Sequence, residues 1–251
     1  NQSGENFGLF GKATGGEVRD QVAIVRVNDR QVHTGVGMCP RPLRVVQAPV
    51  IVFRRRRADA ADQALADMVG APALLEGFVD FSHEVSVIAA RGIDGEVACF
   101  DPGENVHRDG ILHTTTVPAK LSPSLRTDAV LLTANILNAL DYVGTMGVEL
   151  FVTNHGFIVN EIAPRVHNSG HWTQAGCAVD QFEQHIRAIA GWPLGDGTRH
   201  SNVIMENLIG ADVDRLPELA KTNTAIHLYG KADAKPGRKM GHINRILGPA
   251  G

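Results

Sequence analysis

Two carboxylates in one short stretch of this chain have the types and spacing to hold a cation. Glu149 and Glu161 lie in the runs Val148 to Thr153 and Phe157 to Ile162, both rich in Val, Ile and Phe and separated by Asn154-His-Gly156. The runs read as the arms of a β-hairpin, and Gly156 can take the positive φ that closes a three-residue loop. If Thr153 and Phe157 flank that loop, paired residues have numbers summing to 310, so Glu149 stands opposite Glu161. Their Cβ atoms would then be about 4.5–5.5 Å apart on one face of the sheet. Like charges so placed repel unless a cation or a shared proton compensates. Two hard oxygen ligands, with no Cys or His beside them in the strands, suit Mg²⁺, which often takes one or two carboxylates together with substrate phosphates. The plainer alternative is a solvated face bearing two unrelated glutamates, and a bulge would shift the register and separate them.

The elements around this hairpin can be read coarsely. Ser122-Pro123 is a helix start, and Leu125, Ala129, Leu132, Ile136 and Leu140 recur at helical spacing to line one face. Residues 179–190 give a second helix stopped by Gly191, and residues 58–69 a third stopped by Gly70. Residues 84–90 and 96–100 read as strands around Asp94-Gly95, with a further apolar run over 73–75. The fold class is therefore α+β with antiparallel pairing.

Composition narrows the function class. The chain has 251 residues, 43% hydrophobic and 20% charged, with formal net charge −3, which places it among ordinary globular proteins. No apolar run approaches the ~18 residues of a membrane span, and no charged-then-apolar leader opens the sequence, so a cytoplasmic setting without membrane contact is expected. Near-neutral charge argues against nucleic acid, because the one dense basic run, Arg54 to Arg57, has no aromatic residues interleaved. The three cysteines, Cys39, Cys99 and Cys177, match neither a disulfide framework nor a zinc site. The N-terminal glycines do not form a dinucleotide fingerprint.

Longer strings carry a resemblance. Asn160-Glu-Ile-Ala-Pro-Arg-Val-His-Asn-Ser-Gly-His-Trp-Thr173, residues 180–189, His227-Leu-Tyr-Gly-Lys-Ala232 and Lys235-Pro-Gly-Arg-Lys-Met-Gly-His242 closely resemble the 5-(carboxyamino)imidazole ribonucleotide synthetase family of ATP-grasp ligases. The likeness runs from about Glu76 to Leu247. It implies an ATP- and Mg²⁺-dependent reaction in which bicarbonate is phosphorylated to carboxyphosphate and the exocyclic amine of 5-aminoimidazole ribonucleotide captures the carboxyl group, in purine biosynthesis. It also implies roles for residues. Glu149 and Glu161 become the metal ligands, with Asn160 completing the family's Asn-Glu pair. Glu76, Gly77, Phe78 and Val79 match the adenine segment, Glu84 the ribose acid, and His107 a position near the nucleotide. Arg165, His167 and Asn168 match the strip around bicarbonate and amine, with His167 the candidate base, and Lys231, Arg238 and Lys239 match the cluster that grips the ribonucleotide phosphate. Without the resemblance, His107 reads as a loop histidine, Glu84 as a solvated strand end, and the Lys-Pro-Gly-Arg-Lys stretch as a solvated turn.

The resemblance implies an ATP-grasp fold with a partial N-terminal α/β domain and a small C-terminal domain. The corresponding divisions are residues 1–48 as N-terminal remnant and connector, 49–79 as the small subdomain, 80–195 as the large subdomain and 196–251 as the C-terminal substrate-binding domain. A homodimer is expected from the same source. Two departures stand out. The family's Gly-rich N-terminal strand-turn-helix has no counterpart in the first 48 residues, and Ala48 to Arg57 runs towards the next helix without the family's Lys and Gly-Tyr-Asp-Gly-type lid. This leaves open a second function, a catalytically silent ATP-grasp-like nucleotide-binding or interaction protein.

Overall fold

The computed structural model describes residues 22–23, 76–77 and 79–250. The expected helix over 58–69, the apolar run 73–75, the lid region, Phe78 and most of the N-terminal remnant lie outside the described residues. The chain divides into two compact units, one holding most of the residues up to Phe78 and the other holding Val79–Gly251. In the first, β1 (Val22–Ala23) pairs antiparallel with β2 (Glu76–Gly77).

The second unit is built on one antiparallel sheet of nine strands. These are β3 (His83–Arg91), β4 (Val97–Cys99), β5 (Gly103–Arg108), β6 (Ile111–Val117), β7 (Gly144–Thr153), β8 (Gly156–Ala163), β9 (Ser201–Ile209), β10 (Thr224–Leu228) and β11 (Lys239–Pro249). Their order is β10-β11-β9-β6-β5-β3-β7-β8, with β4 paired to β3. Because β9 pairs with β6 and β11 with β9, residues 196–250 continue the same sheet. The boundary expected at 195/196 lies inside this one compact unit.

The helix α1 (Pro123–Ala139) covers one face of this sheet. Ser122 caps it by accepting a hydrogen bond from Leu125 N, and Pro123 sits at its first turn, as the sequence suggested. Its Ala129 and Leu137 pack with Val85, Val87 and Ala89 of β3 and Met146, Val148, Leu150 and Val152 of β7 in the main apolar cluster. The buried stripe differs from expectation at its end. Leu140 is exposed, whereas Thr133 is buried and its hydroxyl bonds Ala129 O at 2.9 Å. That bond lets a polar side chain face the core without an orphaned group.

The opposite face carries a second cluster, in which Ile88, Phe100, Leu112, Val203 and Met205 surround Trp172. Here the short helix α2 (Thr173–Gly176) and the helix α3 (Gln181–Ala190) follow β8. Asp180 caps α3 through Phe182 N and Glu183 N, and Gly191, at φ 67°, ends it in the left-handed region. A four-residue helix, α4 (Leu216–Leu219), lies between β9 and β10.

Candidate functional site

The β7–β8 hairpin puts Glu149 opposite Glu161, as the sequence arithmetic required, but by a different route. The turn is tighter than expected, with Thr153 paired to Gly156, whose φ is 105°. From there the pairs sum to 309 as far as Leu150↔Val159, which would set Asn160 opposite Glu149 and turn Glu161 towards α1. A bulge then restores the sum of 310 at Glu149↔Glu161. Asn160 is the extra residue, so Asn160 and Glu161 together oppose Glu149.

Three more strands complete the acidic corner. Ser86 of β3 pairs with Glu149, and Glu84, two residues along on the same face, pairs with Asn105 of β5. The hairpin β5–β6 turns at Asp109-Gly110, both with positive φ, and it carries His107 on a strand rather than in a loop. His107 Nδ1 lies 3.2 Å from Glu84 Oε2. Ligand atoms of Glu84, His107 and Glu149 all fall within 4.8 Å of one another, which adds Glu84 and His107 to the pair read from the sequence. Glu84 is thus no solvated strand end. Asn105 is buried, and its Oδ1 accepts from Thr115 Oγ1 at 2.9 Å and Ser86 Oγ at 3.4 Å, which directs its Nδ2, without a partner, away from both.

Burial first, and then the Glu161 carboxylate, push the Glu149 carboxyl up to about 7, while His107 and Lys239 pull the other way. A buried carboxylate beside two others is the setting in which a divalent cation replaces the missing solvation. The carboxylates of Glu84 and Glu149 and the His107 imidazole, with Glu161 facing Glu149 across the hairpin, are a donor set that could hold such an ion.

The strip after β8 forms the opposite wall. Arg165 Nη1 bonds Val166 O at 2.9 Å. His167 caps a single 3₁₀ turn, Asn168–Gly170, and its Nε2 lies 4.0 Å from Glu149 Oε1. Burial, and after it the Arg165 and Lys239 cations, hold the His167 ring down to about 3, so the imidazole is neutral. Burial does the same to His171. Two residues that sequence reasoning passed over hold this strip. Gln181, fully buried at the start of α3, accepts from His167 N at 2.9 Å and donates to His167 O at 2.8 Å. Asn207 of β9, also fully buried, exchanges a pair of hydrogen bonds with the Asn168 amide at 2.8 and 2.9 Å and donates to Leu112 O.

Asn168 leads to the basic side. Its Oδ1 accepts from Lys239 Nζ at 2.6 Å, and Lys231 Nζ donates to Lys239 O at 2.5 Å. Lys231 and Lys239 are thereby joined to the strip. Arg238 is exposed, and its Nη1 reaches Asp233 O at 3.4 Å rather than this network. Of the adenine segment, Glu76 and Gly77 form β2 in the first unit and Val79 belongs to the second.

Comparison with known proteins identifies the fold. The model of the ATP-grasp domain matches residues 50–182, and that of the phosphoribosylaminoimidazole carboxylase C-terminal domain matches residues 203–248. The N5-carboxyaminoimidazole ribonucleotide synthase of Brucella melitensis is 57% identical over 188 residues, which cover 74% of this chain and 52% of that protein. The crystal structure of the Thermus thermophilus synthetase superposes with a TM-score of 0.71 at 40% identity, covering 79% of this chain and 54% of that one. That of the Aspergillus clavatus synthase, solved with ADP and 5-aminoimidazole ribonucleotide, gives 0.74 at 35% identity over 78% of this chain and 55% of that one. The chain spans about half the length of the curated relatives it matches. With its nine-stranded antiparallel sheet and the match over residues 50–182, the chain belongs to the ATP-grasp family, and within it its likeness is to the N5-carboxyaminoimidazole ribonucleotide synthases.

Proposed function

We propose that this chain carries the catalytic centre of an ATP-dependent carbon–nitrogen ligase that carboxylates 5-aminoimidazole ribonucleotide with bicarbonate. A bicarbonate oxygen attacks the γ-phosphorus of ATP and ADP leaves. The exocyclic amine nitrogen of the ribonucleotide then attacks the carboxyl carbon of carboxyphosphate, the C–O bond to the phosphorus-bound oxygen breaks, and the departing phosphate takes up the proton that the amine loses. The observation that carries this reading is the meeting of an acidic corner and a basic relay across one site, with Glu84, His107 and Glu149 on one side and Asn168, Lys239 and Lys231 on the other.

Phosphoryl transfer needs positioned charge more than covalent help. Mg²⁺, when held by Glu149 and Glu161, would draw negative charge from the phosphoryl oxygens. Arg165 supplies fixed positive charge of the kind an anionic acyl phosphate requires, and the buried neutral His167 lies 4.0 Å from Glu149 Oε1. Lys231 and Lys239 take the ribonucleotide phosphate, with Arg238, exposed in the loop before β11, as a further cation for it. The segment 76–79 and Glu84 serve the nucleotide, and the reading includes a homodimer in the cytoplasm.

The test is phosphate release by the full-length protein with ATP, Mg²⁺, bicarbonate and the aminoimidazole ribonucleotide, omitting each in turn. Release that needs all of them and falls about a hundredfold in Glu149→Gln and Glu161→Gln supports the ligase. Ribonucleotide binding without any turnover would instead identify a silent binding protein.

A further inference from the structure

The hydroxyl of Ser169, a completely buried residue, lies 2.9 Å from His167 Nδ1. The backbone N–H of Ser169 points at the same nitrogen, at 3.4 Å. A backbone N–H can only donate, so this long contact favours a lone pair on Nδ1, and the shorter contact from the Ser169 hydroxyl, donated to the same lone pair, holds the neutral ring's proton on Nε2. The opposite tautomer would set two N–H groups against each other and leave the buried hydroxyl proton without an acceptor. Capping of the 3₁₀ turn requires the same lone pair, since the imidazole accepts from the turn's own backbone.

The ring has little freedom to escape this arrangement. Gln181 holds both the N–H and the C=O of His167. Against β7 the residue packs on bare backbone, because a Cβ at Gly147 would come within 2.6 Å of His167 Cβ. The nitrogen left facing the site is Nε2, on the Glu149 side.

We propose that Ser169 is a positioning residue that keeps His167 in the Nε2–H form, so that His167 donates a hydrogen bond to an anionic carboxyl or phosphoryl oxygen and takes no proton from the attacking amine. This replaces the base role expected from the sequence. The part His167 plays in turnover rests on the ligase reading above, whereas the tautomer does not.

A two-bond ¹⁵N–¹H correlation spectrum of full-length protein labelled at histidine nitrogens tests the tautomer near neutral pH, with the His167 signals assigned by their loss in His167→Gln. An unprotonated Nδ1 and a protonated Nε2 are expected. A protonated Nδ1 overturns the proposal. In kinetics, His167→Gln, which keeps a donor and has no basic nitrogen, should retain carboxylation within about tenfold, while His167→Ala falls about a hundredfold. Equal losses in the two variants would overturn the donor role. Ser169→Ala should mix the tautomers and lower kcat about tenfold with KM little changed, because the backbone donor alone remains. An unchanged spectrum and kcat would remove Ser169 from the account. Should the wild-type protein make no carboxylated product, the ligase reading fails while the spectrum still decides the tautomer.

Discussion

On one face of β7, Met146, Val148, Leu150 and Val152 are buried against α1 and its neighbours. On the other face of the same strand, Thr145, Gly147 and Glu149 meet α3, His167 and the acidic corner. The first face is held by non-directional burial, which tolerates exchange among apolar residues of similar volume. The second is held by directed hydrogen bonds, in which Thr145 Oγ1 bonds Gln181 O and Gln181 in turn holds His167. One strand thus separates the apolar packing that stabilises the fold from the face that carries the proposed chemistry, and damage to each should read out differently.

The largest effect is expected on the apolar face. Leu137→Ala removes a fully buried side chain from α1 and should cost about 2–5 kcal/mol in denaturant unfolding. Turnover per folded molecule should be almost unchanged, and a loss of turnover matching the loss of stability would erase the contrast between the faces.

Glu149 gives an effect of about 3 kcal/mol of the opposite kind. Its folded pKa is raised from 4.5 to about 7, so the carboxyl favours the folded state while it stays protonated. That contribution is complete below the unfolded pKa and is lost as pH rises from about 4.5 to 7. Metal-free wild-type protein should therefore lose thermal stability across this window, and Glu149→Gln should lose distinctly less, though it is catalytically impaired. Parallel pH profiles for the two proteins would contradict this account.

The smallest effect sharpens the baseline. Ser122→Ala deletes the cap of α1, far from the site residues in the chain, and should cost about 1 kcal/mol by thermal melting while leaving KM and kcat alone.

The sequence was most legible where backbone geometry decides. The cap at Ser122, the stop at Gly191 and the facing of Glu149 and Glu161 all follow from local residue types. The last came right although the turn is one step tighter than expected, because the bulge at Asn160 cancels that difference. The hairpin β5–β6 was passed over even though Asp109-Gly110 is a strong turn signal, and His107 consequently read as a loop residue. Gln181, Asn207 and Ser169 could not be found this way. They are polar side chains with complete burial, and whether such a residue is inside depends on partners distant in the chain, as Asn207 depends on Asn168 and Leu112. Leu140 fails for the converse reason. Its spacing fits the helix stripe, but the helix ends at Ala139 before the sheet can cover it.

The bulge at Asn160 also acts as a check on assembly. Were the hairpin to zip up without it, Glu161 would stand opposite Val148 and face the apolar cluster under α1. An unpaired carboxylate there costs several kcal/mol, so the misregistered hairpin is penalised before any ligand arrives. The acidic residue proposed to serve the cation is in this way also the proofreader of its own strand, and a molecule that has folded has by that fact set Glu161 opposite Glu149.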